Sequence, residues 1–271
     1  MATDVSDAFV KQFEREAHLV YQRMGSKLRS TVRFKGDVEG SSTTFQKIGK
    51  GIATTKARHA QVNPMNVDHT PIEVTLSDHY APDYIDKLDE DKITHDERTA
   101  LVNTGAWALG RKTDELITDQ LDLESDSGGG SAAWTLARAR DMVTALFEND
   151  VEPMPNRVFG VVGWDEWKIM MSDSAFASSD FVGDHPLKMF GEVKTWHGVT
   201  WCPFNGLPLS GSDRSVFAYD KMAIGHASGH EIETEINYVP ERAAFLVNSL
   251  MSQGAKVIDS TGVIKFLADE S

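Results

Sequence analysis

Only one cysteine, Cys202, occurs in the 271 residues, so no disulfide can form within the chain. A disulfide scaffold is excluded, and the usage suits a reducing cytosol. The opening stretch MATDVSDAFVKQ has no basic segment followed by an apolar one, so no secretory signal is expected. Apolar runs such as Val158–Val162 are far shorter than the ~20 residues of a membrane-spanning helix, and a soluble protein with no membrane contact is expected. There is no dinucleotide fingerprint, no phosphate loop and no nucleophile elbow. SDSGGGS (Ser125–Ser131) lacks the Lys-Ser/Thr pair of a P-loop and reads as a flexible loop.

Residues that could carry chemistry are sparse. His226 and His230 stand four apart beside Glu231, but the glycines of GHASGHE oppose the helix on which such a zinc pair is built. His59 lies in a polar stretch with no partner in view, and Cys202, between Trp201 and Pro203, reads as a buried inert thiol. Trp164 and Trp167 read as core or interface anchors. No catalytic residue, cofactor or metal is expected, and the protein is not expected to be an enzyme.

What is present in quantity is charge, unevenly placed. Residues 1–60 hold 11 Lys and Arg against 6 Asp and Glu, a net of +5; the rest holds 16 against 35, a net of −19. A basic front on an acidic body predicts that one copy's front lies on another copy's body. From charge alone, a solvated surface with accidental asymmetry reads the same. The acidic body disfavours nucleic-acid binding by the chain as a whole, and the basic front lacks interleaved aromatic platforms for bases.

The body is organised by a rod. Between Asp89 and Asp122, apolar residues Leu101, Ala108, Leu109, Leu116, Ile117 and Leu121 recur near the helical period. A helix from Thr94 to Asp122 is predicted, with Thr94 as cap and Glu97 reaching back to it. The opposite face carries Asp114, Glu115 and Asp119. Gly105 and Gly110 count against the helix, each costing roughly 1 kcal/mol relative to alanine.

Around the rod the chain reads as α+β. Residues 4–24 form an amphipathic helix. From Lys27 to Tyr80 the chain is polar and extended: strands at LRSTVRFKG, TTFQKIGKG and PIEVTLSDHY enclose a polar tip. Such an arm is marginal alone and needs support, which a partner subunit would supply. Ser131 is expected to cap a second helix, and VEPMPN to mark a lobe boundary. RVFGVVG is a buried strand, WDEWKIMMSD a short helix, residues 174–190 a loop, and GEVKTWHGVTWCPF a strand pair turning at His197-Gly198. The tail returns to strands, turning at Ser260-Thr261-Gly262; Arg242–Met251 fits either a strand or a helix.

This order, with the closing run NYVPERAAFLVNSLMSQGAKVIDSTGVIKF, resembles the Hong Kong 97-type major capsid proteins of tailed bacteriophages. The resemblance implies an N-arm over 1–29 and an extended loop over 30–80. It further implies a peripheral domain with the spine helix over 81–155, an axial domain over 156–228, and peripheral return strands over 229–271. It implies a structural protein that assembles with itself, through hexamers and pentamers, into an icosahedral shell around double-stranded DNA held without sequence-specific contact. Separate scaffolding and portal proteins are implied, as are assembly in the host bacterial cytoplasm and a final place in the virion; no long coiled-coil segment precedes the N-arm, so no fused scaffolding domain is expected, and a separate scaffold or a processed precursor stays open. Candidate intersubunit contacts are Lys47, Lys50, Lys56 and Arg58 on the arm, facing Asp114, Glu115 and Asp119 on the rod. Those three lysines could also supply a covalent cross-link of the kind some members make, but no asparagine can be matched. The rival readings are an encapsulin-like compartment shell and an α+β enzyme with an unrecognised site.

Overall fold

The computed structural model describes residues 22–90, 96–154, 156–173, 176 and 193–271. The expected terminal helix up to residue 21, the cap at Thr94 and most of the 174–190 loop lie outside them. The first half of the chain holds β1 (Arg33–Lys35), β2 (Ser42–Ile48), β3 (His69–Thr75), β4 (Ser77–Asp86), α1 (Lys87–Glu90), α2 (Glu97–Asp122), β5 (Ala132–Ala133) and α3 (Leu136–Glu148). There follow β6 (Val158–Val162), α4 (Trp164–Ser172), β7 (Lys194–Trp196), β8 (Val199–Pro203), β9 (Leu209–Ser210), β10 (Asp213–Asp220), β11 (Ile224–Val239), β12 (Ala244–Val257) and β13 (Val263–Asp269).

Packing groups these elements into two units. The first takes residues 22–25, Asp78–Arg111 and Glu231–Met251; the second takes Ser26–Ser77, Lys112–His230 and Ser252–Ser271. The elements α2, β11 and β12 run from one unit into the other. The expected division at VEPMPN does not match this grouping, because α3 before it and β6 after it share one core.

In the first unit, β11, β12 and β4 are consecutive strands of a sheet. Arg242–Met251, ambiguous by pattern, is strand from Ala244 onward after a short 3-10 turn. The 26-residue α2 rises ~39 Å at 1.5 Å per residue. Asp96 caps it, its carboxylate accepting from the Thr99 N–H at 3.1 Å and from the Thr99 hydroxyl. Gly105 has a packing reason: a Cβ there would lie 2.5 Å from the Ser249 hydroxyl, which is fully buried and hydrogen-bonded to Thr234. Of the predicted stripe, Leu109, Ile117 and Leu121 are buried, whereas Leu101, Ala108 and Leu116 are half-buried. Leu109→Asp should therefore abolish soluble folded protein, because an unpaired carboxylate would replace a buried leucine. Normal yield with unchanged circular dichroism would refute the stripe.

In the second unit a seven-stranded sheet has the order β5-β13-β10-β6-β8-β7, with β9 beside β10. β6 is buried at every position because both faces of this sheet are covered. On one face α3 and α4 pack over Val158, Trp196, Trp201, Val216 and Phe266. Thr135, not Ser131, caps α3, accepting from the Arg138 N–H; the Ser131 hydroxyl instead donates to Asp213. On the other face Ile117 and Leu121 of α2 meet Phe159, Phe217, Tyr219 and the strap residues Leu28 and Val32. LRSTVRFKG is thus a 3-10 turn over Arg29–Thr31 followed by a three-residue strand, β1, parallel to β11.

Candidate assembly surfaces

The arm is the first surface. β2 and β3 pair antiparallel from Ser42↔Thr75 to Ile48↔His69. The base is held by its own chain: Phe45 and Val74 are buried against Ala227 and Ile258, and the Val38 N–H donates to the Ser228 carbonyl. This departs from the expectation that a partner is needed to support the arm. The sequence hid it because the receiving residues lie some 180 positions away in a different kind of segment.

Beyond Ile48 the chain makes no further strand until His69, and residues 51–66 are exposed throughout. Lys47 donates to Asp259 at 2.8 Å, and Lys50 pairs with Asp150. Burial alone would raise the Asp259 carboxyl, but hydrogen bonds from Lys47 and Thr261 hold it below its ordinary range. Lys56 donates to the Ala60 carbonyl at 3.2 Å, and Arg58 stands exposed in the same tip. The tip also presents Ile52, Val62 and Met65, each more than half exposed. Sequence reading treated this stretch as polar; three scattered apolar residues leave no periodicity to detect.

The rod's acidic residues separate into two kinds. Asp114, assigned to the outer face, is fully buried. Its carboxylate accepts from the Ser26 hydroxyl at 2.5 Å, the Lys27 N–H at 3.0 Å and the Leu28 N–H at 2.9 Å. That correction follows from helix geometry: Asp114 sits one step from Thr113 and Ile117–Thr118, on a buried arc wider than the apolar stripe that marked it. Glu115 and Asp119 are exposed as expected. Glu115 pairs with Lys112 at 3.1 Å. Partial burial, and Glu115 nearby, push the Asp119 carboxyl above its ordinary value. Within the chain, then, Lys47 and Lys50 are engaged by Asp259 and Asp150, not by Glu115 or Asp119.

Of the histidine pair, His226 is fully buried, its Nε2 3.1 Å from Gln253 Oε1 and its ring stacked on Phe34. Among the described residues no group of three metal-ligating side chains converges. Cys202 lies against the Gly160 carbonyl, and burial pushes its thiol up to about 12.

One buried ionisable group was not anticipated. Glu166, on the first turn of α4, is almost wholly buried beside Arg214, whose guanidinium is already taken in bidentate fashion by Glu270. Burial first, and Glu270 after it, raise the Glu166 carboxyl from 4.5 to about 7, against the pull of Arg214. The folded state thus holds this proton more tightly than the unfolded chain. Its penalty is absent below pH 4.5, grows as pH rises toward 7 and is complete above it. Glu166→Gln should match the parent at pH 4 and exceed it at pH 8 by at most about 3 kcal/mol, at 1.36 kcal/mol per pKa unit. Equal thermal midpoints for the two proteins at pH 8 would show that Glu166 is not strained.

No curated protein matches the chain by sequence. Solved structures match it over nearly its whole length. A capsid structure of the cyanophage P-SCSP1u superposes with a TM-score of 0.76 at 16% identity, covering 100% of this chain and 96% of that one. A structure from Mycobacterium phage Che8 gives 0.77 at 18%, covering 96% and 97%. The head structure of the Helicobacter pylori bacteriophage KHP40 gives 0.76 at 12%, covering 98% and 96%. The shared fold is α+β and of the Hong Kong 97 type. The family model described as "Phage capsid protein" matches residues 5–270. With that match spanning almost every element described above, the chain belongs to the phage capsid protein family.

Proposed function

We propose that this structural capsid protein closes its shell by laying the arm tip of one copy on the body of the next, around five- and six-fold rings. The observation that carries this is the arm itself. Its base is packed and ion-paired within its own chain, while its tip extends exposed Ile52, Val62 and Met65 beside Lys56 and Arg58. Apolar side chains projected on a supported arm gain stability only from a surface outside it. Repeated heterologous contact of this kind closes into rings. Glu115 and Asp119 are the rod carboxylates that remain on the surface to receive the basic tip.

In this reading residues 1–29 are the N-arm, 30–80 the extended loop, 81–155 with 229–271 the peripheral domain, and 156–228 the axial domain. The shell encloses double-stranded DNA without sequence-specific contact. Scaffolding and portal proteins act as separate partners, assembly takes place in the host cytoplasm, and no catalytic step is assigned to the chain.

Lys56→Glu combined with Arg58→Glu should leave the subunit folded yet sharply reduce the yield of polyhedral particles in negative-stain electron microscopy. Reversing Glu115 and Asp119 to lysine in the same chain should restore part of that yield. Unimpaired shells from the arm double variant would refute the contact.

A further inference from the structure

Where α4 starts against β10, one cation stands between two carboxyl groups. Arg214, the second residue of β10, is held by Glu270: its Nε donates to one carboxylate oxygen and its Nη2 to the other at 3.0 Å. Its Nη1 donates to the Leu207 carbonyl at 3.5 Å. Glu166 reaches the same side chain from the first turn of α4, for a Cβ on Gly163 would collide with both Glu166 Oε2 and Arg214 Cδ. That oxygen has no hydrogen-bond partner, although Glu166 is only 1% exposed. An ionised carboxylate buried in this way is costly, and the guanidinium beside it is already committed to Glu270.

The adjoining charges give no relief. Asp165, next to Glu166 on α4, adds a further negative charge acting on Arg214. Asp213 and Asp269, the sequence neighbours of Arg214 and Glu270, are bonded to Ser131 and Ser271. How each member is held decides which of them can move. Glu166 is fixed, because Trp167 and Met170 of the same short helix are fully buried in the first core. Arg214 is fixed as well, being paired in the sheet with Ala268 on one side and Leu209 on the other. Glu270 lies past Asp269, the last residue of β13; beyond its ion pair it is tied by its N–H, which donates to the Ser212 carbonyl at 2.9 Å.

We propose that ionisation of Glu166 is a switch on the chain past β13: with the proton on, Glu270 stays docked on Arg214, and with it off, Glu166 takes the guanidinium and Glu270 swings into solvent. The proton leaves to water. The buried site is neutral in both states, since the cation faces one carboxylate in each, and this makes the exchange two-state. Burial, with Glu270 nearby, raises the docked Glu166 carboxyl to about 7. With Arg214 to itself, Glu166 ionises at lower pH. Proton loss therefore favours the open form, and opening increases with pH up to about 7 and is level above it. The switch is separate from the arm contact proposed above, since none of its three groups lies on the arm.

Hydrogen exchange of the Glu270 N–H in the intact chain, divided by the intrinsic rate at each pH, reads the switch. Its protection should fall about tenfold or more from pH 5 to pH 8, levelling off where the Glu166 carboxyl carbon titrates by NMR. At pH 8 it should lie about a hundredfold or more below that of the Phe217 N–H, on β10 between β13 and β6, since local opening needs far less free energy than unfolding the sheet. Glu166→Gln, which keeps a donor toward Glu270 and cannot ionise, should retain at pH 8 the protection that the parent shows at pH 5. A Glu270 N–H as protected as Phe217 at pH 8 would overturn the proposal, because the segment would then open only when the whole unit unfolds. So would a parent whose Glu270 protection does not change with pH, or a Glu166→Gln variant that loses protection as the parent does.

Discussion

Asp114→Ala should lower stability by about 3 kcal/mol, since hydrogen bonds to a charged group are worth about 1.5–3 kcal/mol each and do not add fully. The carboxylate is fully buried and gathers three donors from consecutive residues, Ser26, Lys27 and Leu28. Alanine would deprive two backbone N–H groups and a hydroxyl of this acceptor, and the Leu28 N–H among them is buried. The damage would spread, because the strap that these bonds hold also places Leu28 and Val32 in the second core and brings the Thr31 hydroxyl to Tyr219. For a chain of this size about 3 kcal/mol corresponds to a drop of roughly 10 °C in thermal midpoint. Asp114→Asn, which keeps the shape and one acceptor oxygen, should lose less. Glu115→Ala, at the next position but exposed, should fall within about 0.5 kcal/mol of the parent. Similar midpoints for Asp114→Ala and Glu115→Ala would mean that the strap is not held from the rod.

Asp114 also shows where sequence reading stops. Periodicity located α2 and its apolar side, since burying a stripe is a local demand that leaves a local pattern. It could not tell a carboxylate facing water from one turned inward to cap another segment's N–H groups. The partners of Asp114 lie 86 to 88 residues away. The same limit explains Glu166, whose environment is made by Arg214 of β10 and by Glu270, just past the end of β13, both far along the chain. The buried strand β6 and the turn at His197-Gly198, where both residues take positive φ, were legible because their signals are local. The division at VEPMPN, kept above as a functional boundary, shows the complementary limit. Two prolines mark a stiff connector, but stiffness does not say whether the elements on either side share a core, and here α3 and β6 do.

Gly254→Val should detach the arm without unfolding the chain. A Cβ at Gly254 would lie 2.2 Å from the Thr75 carbonyl oxygen and 3.1 Å from its carbon, both backbone atoms at the end of β3. Backbone cannot rotate out of the way as a side chain can, so one strand must move. β12 is the less able to do so: the adjacent Gln253 is fully buried and is bonded to Thr113 at 2.8 Å and to His226 at 3.1 Å. Thr75 therefore yields, and with it Val74 and Phe45, which leave their contacts with Ala227 and Ile258. Losing two buried side chains of this size costs about 3–5 kcal/mol, but the loss falls on the arm base and leaves both large cores intact. Trypsin should then cut the variant many times faster than the parent at Lys47, which lies within the paired β2, while tryptophan fluorescence and circular dichroism stay near the parent's. Gly49→Ala is the control on the same arm: its Cβ would meet Asp68 at 3.6 Å, an ordinary contact, and cleavage should be unchanged. A Gly254→Val chain cleaved at the parent's rate would place the anchor of the arm elsewhere. Faster cleavage with shells still forming would separate anchoring within the chain from contact between copies, and would leave the tip residues Ile52, Val62 and Met65 as the part of the arm on which assembly depends.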